Sequence, residues 1–120
     1  MRAAAATARK TPAGIGADAA DLKKLTKQAG EAAQLLKLLG NEKRLLILCF
    51  LAARGEMTVG ELVGVVELSQ SALSQHLARL RADGLVTFRR TSQTLHYSVA
   101  DKRALQVLQV LKQIYCGDLK

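Results

Sequence analysis

Hydrophobic residues recur every three or four positions over most of this chain, which is the spacing of one buried helix face. The pattern predicts a first helix from Asp18 to Leu39, which Gly40 ends. A second helix is expected from Glu42 to Ala53, with Asn41 as its N-cap. Because the second helix is apolar on almost all sides, we expect it to lie in the core.

The next two helices are short and are separated by a three-residue turn. Thr58 and Glu61 have the spacing of a capping box, in which each side chain satisfies a backbone amide at the start of a helix. Residues 67–69 form the predicted turn, and Ser69 is the expected N-cap of a fourth helix that ends near Asp83. This is the arrangement of a helix-turn-helix.

The period of the pattern then changes to two, which is typical of strands. Residues 85–90 and 94–99 predict two short strands, with 91–93 as the hairpin loop, and a last helix is expected from about Asp101 to Cys116. The sequence therefore predicts a mainly helical fold with a β-hairpin wing, in the order α-α-α-α-β-β-α. That order is a winged helix-turn-helix.

Composition sets the boundaries of this domain. Residues 1–17 are rich in alanine, contain three basic residues and no acid, and predict a flexible basic tail that is either solvated or a DNA-binding arm. The folded domain is expected at 18–117, with a C-terminal tail at 118–120. The longest uncharged apolar run, 45–53, is far below the about 18 residues that cross a bilayer. With no apolar leader at the start, we expect a cytoplasmic protein without a membrane partner.

The charge narrows the class of partner. Eighteen Lys and Arg residues against ten Asp and Glu residues give a formal net charge of +8, which favours a polyanion. Aromatic residues make up only 3% of the chain, too few for the stacking surfaces of single-strand binders. Double-stranded DNA is therefore the expected partner.

The polar face of the fourth helix and the wing supply the candidate DNA contacts. Glutamine pairs with adenine, arginine with guanine, and serine with either, in the major groove. Basic residues beside the hairpin loop suit phosphates or the minor groove. The candidate residues are Gln70, Ser71, Ser74, Gln75 and Arg79 on the helix, and Arg89 and Arg90 on the wing.

The run from Ser69 to Leu80 (SQSALSQHLARL), followed by Gly84-Leu85-Val86 and a wing ending in Tyr97-Ser98, resembles the arsenic-repressor (ArsR) family of bacterial winged-helix repressors. The resemblance covers roughly residues 30–116. It implies a homodimer joined by its first and last helices, with one fourth helix on each half of an inverted-repeat operator. The chain departs from many members at Glu67, where they have glycine; a left-handed glutamate there would cost about 1–2 kcal/mol.

The two cysteines leave two interpretations open when only the residues are considered: small buried hydrophobes, or reactive thiols. Cys49 lies in the apolar second helix, which should raise its pKa, and Cys116 lies at a helix end where we expect more exposure. Both positions, in the segments 41–49 and 114–116, are similar to the HlyU/BigR-like branch of the family. That resemblance implies a redox-sensing pair, in which a persulfide or oxidant converts one thiol and the other resolves it into a disulfide or sulfur-bridged link.

Other functions are weaker candidates. The third helix has no thiol and the last has no histidine, so a metal site of three or four ligands is not expected, and no cofactor is implied. His76 is expected to border the buried stripe of the fourth helix rather than bind a metal. No nucleophile–base pair, phosphate loop or Cys-x-x-Cys is present, so an enzyme is not expected. The alternatives are an architectural DNA-binding protein with structural cysteines, a metal-responsive repressor, and a helical interaction module.

Overall fold

The structure, a computed structural model, describes residues 14–117. It contains five helices and three strands in that range. Residues 14–18 form neither helix nor strand; the rest of the predicted N-terminal tail, and the tail at 118–120, lie outside the described residues. The elements are α1 (Ala19–Leu39), α2 (Glu42–Arg54), β1 (Met57–Thr58), α3 (Val59–Val66), α4 (Gln70–Ala82), β2 (Val86–Thr91), β3 (Thr94–Val99) and α5 (Lys102–Tyr115).

The chain divides into two compact units after Ala33. In the first unit, every described residue is exposed, including the apolar Leu22 and Leu25 of α1. The second unit begins at Gln34 and contains the hydrophobic core. No helix within the described range is long and apolar enough to cross a membrane.

The core of the second unit forms around α2, as the apolar pattern of that helix predicts. Its side chains Ile47, Leu48 and Leu51 are fully buried. Leucines of α4 on one helical stripe, together with side chains from α3, the sheet and α5, surround them. Within residues 14–117, no polar or charged residue is buried. The buried hydrophobic residues are Leu39, Ile47, Leu48, Leu51, Met57, Leu62, Val66, Leu73, Leu77, Leu80, Leu85, Val86, Tyr97, Ala104 and Leu108.

Local chemistry fixes where the helices begin and end. The side chain of Asn41 accepts a hydrogen bond from the backbone N–H of Arg44 at 3.1 Å, which confirms it as the N-cap of α2. At the other end, α2 stops at Gly55, whose φ of 85° is a conformation that a side chain disfavours. Asp101 caps α5 by accepting from the backbone N–H groups of residues 103 and 104.

The sheet differs from the predicted hairpin in two ways. A third strand, β1, pairs antiparallel with β3, so β3 lies in the centre with Met57 and Phe88 both opposite Tyr97. The order α-α-α-α-β-β-α was therefore incomplete, because a two-residue strand is too short to show a period. The predicted three-residue loop was also wrong: Thr91 pairs with Thr94, and a two-residue turn results in which Ser92 has a φ of 54°.

Candidate DNA-binding surface and cysteine pair

The turn between α3 and α4 is built from local hydrogen bonds and one left-handed residue. In the predicted capping box, the Thr58 N–H donates to Glu61 at 2.9 Å and the Glu61 N–H donates to Thr58 Oγ1 at 3.2 Å. Glu67 ends α3 with φ 55° and ψ 46°, the left-handed conformation. Ser69 then accepts from the Ala72 N–H at 3.1 Å and starts α4. These contacts fix the angle at which α4 leaves the turn.

Burial of one face orients the other face of α4 toward solvent. Leu73, Leu77 and Leu80 are fully buried, and α4 packs against α3 through this stripe. The helix contains no acidic residue. All five predicted helix positions are exposed: Gln70, Ser71, Ser74, Gln75 and Arg79. The structure therefore places them on one accessible, acid-free helix.

The wing carries Arg89 and Arg90, which are both exposed on β2. Arg89 Nε donates to Glu56 Oε2 at 2.8 Å in an ion pair. This hydrogen bond from Arg89, together with electrostatic interactions with Arg89 and His96, holds the pKa of Glu56 below its usual value. The sequence pattern did not predict this pair, because 33 positions separate the two residues. Arg89 thus has a protein carboxylate as its partner in the free chain.

Aromatic contacts connect the end of α4 to the wing. The guanidinium of Arg81 lies 4.2 Å from the ring centre of Phe88, a cation–π contact. The Phe88 ring meets Tyr97 edge to face, with 5.5 Å between centroids. Sequence reasoning missed Arg81, because a cation–π pair between a helix and a strand has no local pattern. The two contacts join the helix and the wing.

The two cysteines lie on different helices of the same unit. Cys49 is half-buried in α2, whereas Cys116 caps the C-terminus of α5 and is exposed; both are free thiols. Burial raises the pKa of the Cys49 thiol, and its electrostatic interaction with Cys116 raises it further. The two helices that carry these thiols, α2 and α5, pack against each other. Over residues 14–117, no group of three His, Cys, Asp or Glu side chains could hold a metal ion.

A helix-turn-helix whose second helix has an exposed polar face, followed by a hairpin wing, defines the class of winged helix-turn-helix regulators. Comparison with known proteins then gives the family. The model of the bacterial regulatory protein arsR family matches residues 41–87. The chain belongs to this family, in the branch of HlyU and BigR, as its motifs predicted.

Individual relatives match most of the chain. The transcriptional activator HlyU of Vibrio cholerae is 46% identical over 96 residues, which cover 80% of this chain and 88% of that protein. The crystal structure of HlyU from Vibrio vulnificus superposes with a TM-score of 0.74 at 46% identity, covering 80% and 99% of the two chains. The repressor BigR from Xylella fastidiosa gives 0.73 at 37% identity, covering 79% and 96%. This chain is thus a transcriptional regulator, and its family is one of regulatory proteins rather than of enzymes.

Proposed function

We propose that this protein is a cytoplasmic, homodimeric repressor that binds an inverted-repeat operator and is released when Cys49 and Cys116 become linked. The observation that carries the DNA-binding part is the exposed, acid-free face of α4 beside a basic wing. Such a helix fits the major groove, where amide, hydroxyl and guanidinium groups distinguish base pairs.

The proposed DNA contacts fall into two groups, those that read base edges and those that bind the backbone or the minor groove. Gln70, Ser71, Ser74, Gln75 and Arg79 are proposed to contact base edges. Arg89 and Arg90 are proposed to contact phosphates or the minor groove. Arg89 must exchange the carboxylate of Glu56 for a phosphate, so we expect it to contribute less than Arg90.

Exposed apolar side chains support the dimer. Exposed apolar side chains on helices favour contact with another chain, and two-fold dimers are the commonest assembly. A two-fold axis also matches a palindromic operator, with its half-sites about 34–36 Å apart. The exposed residues are Leu22, Leu25 and Leu36 on α1, and Leu105, Val110, Ile114 and Tyr115 on α5.

The proposed switch begins at Cys116, since that thiol is exposed while burial raises the pKa of Cys49 and lowers its thiolate fraction. A low-molecular-weight persulfide transfers its outer sulfur to Cys116 and leaves as a thiol. The Cys49 thiolate then attacks the inner sulfur of this persulfide, which forms a disulfide and expels hydrogen sulfide. If both cysteines carry a persulfide, the same attack gives a trisulfide and hydrogen sulfide.

The link acts on DNA binding by changing how α2 and α5 pack. Release requires the linked state to disfavour the DNA-binding arrangement of the dimer. A difference of about 3 kcal/mol between the two states lowers affinity more than a hundredfold.

The DNA-binding proposal is tested with a duplex selected by the protein from a random pool, compared with a scrambled duplex. Ser74→Ala or Gln75→Ala should weaken binding to the selected duplex by about 1–3 kcal/mol and relax the preference at one base pair. Arg90→Gln should weaken all duplexes similarly. Equal wild-type affinity for selected and scrambled DNA would refute specific regulation.

The switch is tested by treating the reduced protein with glutathione persulfide. We expect one Cys49–Cys116 link by peptide mass spectrometry, and at least tenfold weaker binding, about 1.4 kcal/mol. Cys49→Ser and Cys116→Ser should bind DNA as the reduced wild type does and lose the response. If the double variant is still released by the donor, the cysteines only fill space in the fold, and the protein is a regulator without a thiol sensor.

A further inference from the structure

A cleft of about 360 Å³ lies between the start of α2 and one side of α4. The α4 residues that line it have the spacing of a single helix face, and they include two of the proposed base contacts, Gln75 and Arg79. The full lining is Asn41, Arg44, Ala72, Gln75, His76 and Arg79. The cleft thus extends from the proposed major-groove helix onto a second element.

Arg44, which lines this cleft, has a buried donor whose hydrogen bonding the described fold does not satisfy. Its Nε is buried and has no hydrogen-bond partner in the part of the chain that the structure describes. A buried donor without a partner is costly and uncommon in native proteins, and such a group calls for a ligand or a water. The backbone of Arg44 is held by the Asn41 cap, so the base of this side chain is fixed beside the cleft.

The positive charge of the residues that line the cleft favours an anionic ligand. Two arginines, Arg44 and Arg79, are among the residues that line the cleft, and none of those residues is acidic. The first turn of α2 adds the partial positive charge of a helix N-terminus, and its acidic residue, Glu42, is exposed and does not line the cleft. Guanidinium groups bind the oxygens of phosphate with paired hydrogen bonds. The chemistry therefore suits a phosphate.

We propose that this cleft binds a phosphate of the DNA backbone, with Arg44 and Arg79 as its ligands, which reassigns Arg79 from a base edge to the backbone. The inference rests on the proposed DNA binding and adds α2 to the elements that contact DNA. A helix in the major groove is bordered by phosphates, and phosphate contacts fix the register of a protein on the duplex. Because the cleft shares Gln75 and Arg79 with the exposed face of α4, a backbone phosphate reaches it while α4 lies in the groove.

The test compares two charge deletions on the same helix. Arg44→Gln removes the guanidinium in the cleft, and Arg54→Gln removes an exposed guanidinium from the last turn of α2, outside the cleft. Binding is measured over a range of salt concentrations, to a duplex selected from a random pool and to the unselected pool. Arg44→Gln should weaken both by about tenfold and lower the salt slope by about one unit per protomer, whereas Arg54→Gln should change neither.

A second measurement locates the phosphate itself. Neutral methylphosphonates are placed one at a time along the selected duplex. Wild type should lose more affinity than Arg44→Gln at one position in each half-site, because the variant has already lost the Arg44 contact and keeps only that of Arg79. No such position, or equal salt slopes for Arg44→Gln and Arg54→Gln, overturns the cleft proposal and leaves DNA binding by α4 intact.

Folding is controlled separately. A lower melting temperature for Arg44→Gln with an unchanged salt slope means that the side chain only packs, which also overturns the proposal. If Arg44→Gln does not fold, Arg44→Lys replaces it: the retained charge keeps the salt slope, and loss of the paired geometry should weaken binding about three- to tenfold. Unchanged affinity for Arg44→Lys overturns it. If wild type binds no duplex at all, the proposed function itself fails.

Discussion

Replacing Glu67 with glycine is expected to stabilise the protein, because this residue holds the turn between α3 and α4 in a left-handed conformation. Its φ of 55° and ψ of 46° place Cβ close to the following carbonyl oxygen. Glycine has no Cβ and adopts this conformation without that repulsion.

The size of the effect follows from two opposing contributions. Left-handed backbone costs a residue with a side chain about 1–2 kcal/mol, which glycine avoids. Glycine also gives the unfolded chain more freedom, which costs about 0.5–1 kcal/mol. The net gain in the free energy of unfolding is then about 0.5–1 kcal/mol. With a urea m-value of about 2 kcal/mol/M, the midpoint rises by about 0.4 M.

The assay is urea unfolding followed by circular dichroism, at one protein concentration for all variants because dimerisation affects apparent stability. Glu67→Ala is the matched control, since it removes the carboxylate and keeps Cβ. The difference between the glycine and alanine variants isolates the backbone contribution. Identical midpoints for these two variants would mean that the strain only balances the greater freedom of unfolded glycine, and the predicted gain in stability would be wrong.

Three further predictions concern caps and charge. Asp101→Ala should lower the free energy of unfolding by about 1 kcal/mol at neutral pH. Partial burial raises the pKa of this carboxyl, but hydrogen bonds at the start of α5 outweigh it and lower the pKa below 3.8. The loss of stability in Asp101→Ala should therefore shrink as the pH falls through that lowered value, which urea unfolding at a series of acid pH values will show. A loss of stability independent of pH would contradict this. Thr58→Ala and Glu61→Ala should each cost about 1 kcal/mol in urea unfolding, and the double variant less than the sum because both break one capping box; full additivity would contradict the box. Glu56→Gln should free Arg89 and tighten binding to unselected duplex with a steeper salt slope, measured by fluorescence anisotropy; an unchanged slope would mean that the ion pair does not compete with DNA.

The features that the sequence predicted well depend on neighbouring residues. The caps Asn41, Thr58 and Ser69 each satisfy an amide three positions away, so their residue types and spacing are sufficient. The exposed face of α4 likewise follows from the spacing of its buried leucines. The family resemblance also came from a contiguous stretch, residues 69–80, and the comparisons confirmed that family.

The features that the sequence did not predict join residues that are far apart in the chain. β1 gains its strand character from pairing with β3, and the isolated dipeptide Met57-Thr58 gives no sign of it. The ion pair between Glu56 and Arg89 also depends on how the sheet assembles. The left-handed Ser92 was missed because glycine, asparagine and aspartate are the usual signals of such a turn.

The central position of β3 limits how this wing can be exchanged between proteins. A two-stranded hairpin could be transplanted as one continuous segment, but β3 also pairs with Met57 and Thr58, which precede the helix-turn-helix. A graft of residues 86–99 alone would place a foreign central strand against a native edge, where the Met57–Tyr97 packing no longer matches. The transferable unit is discontinuous, and a chimaera should carry residues 56–58 together with the hairpin.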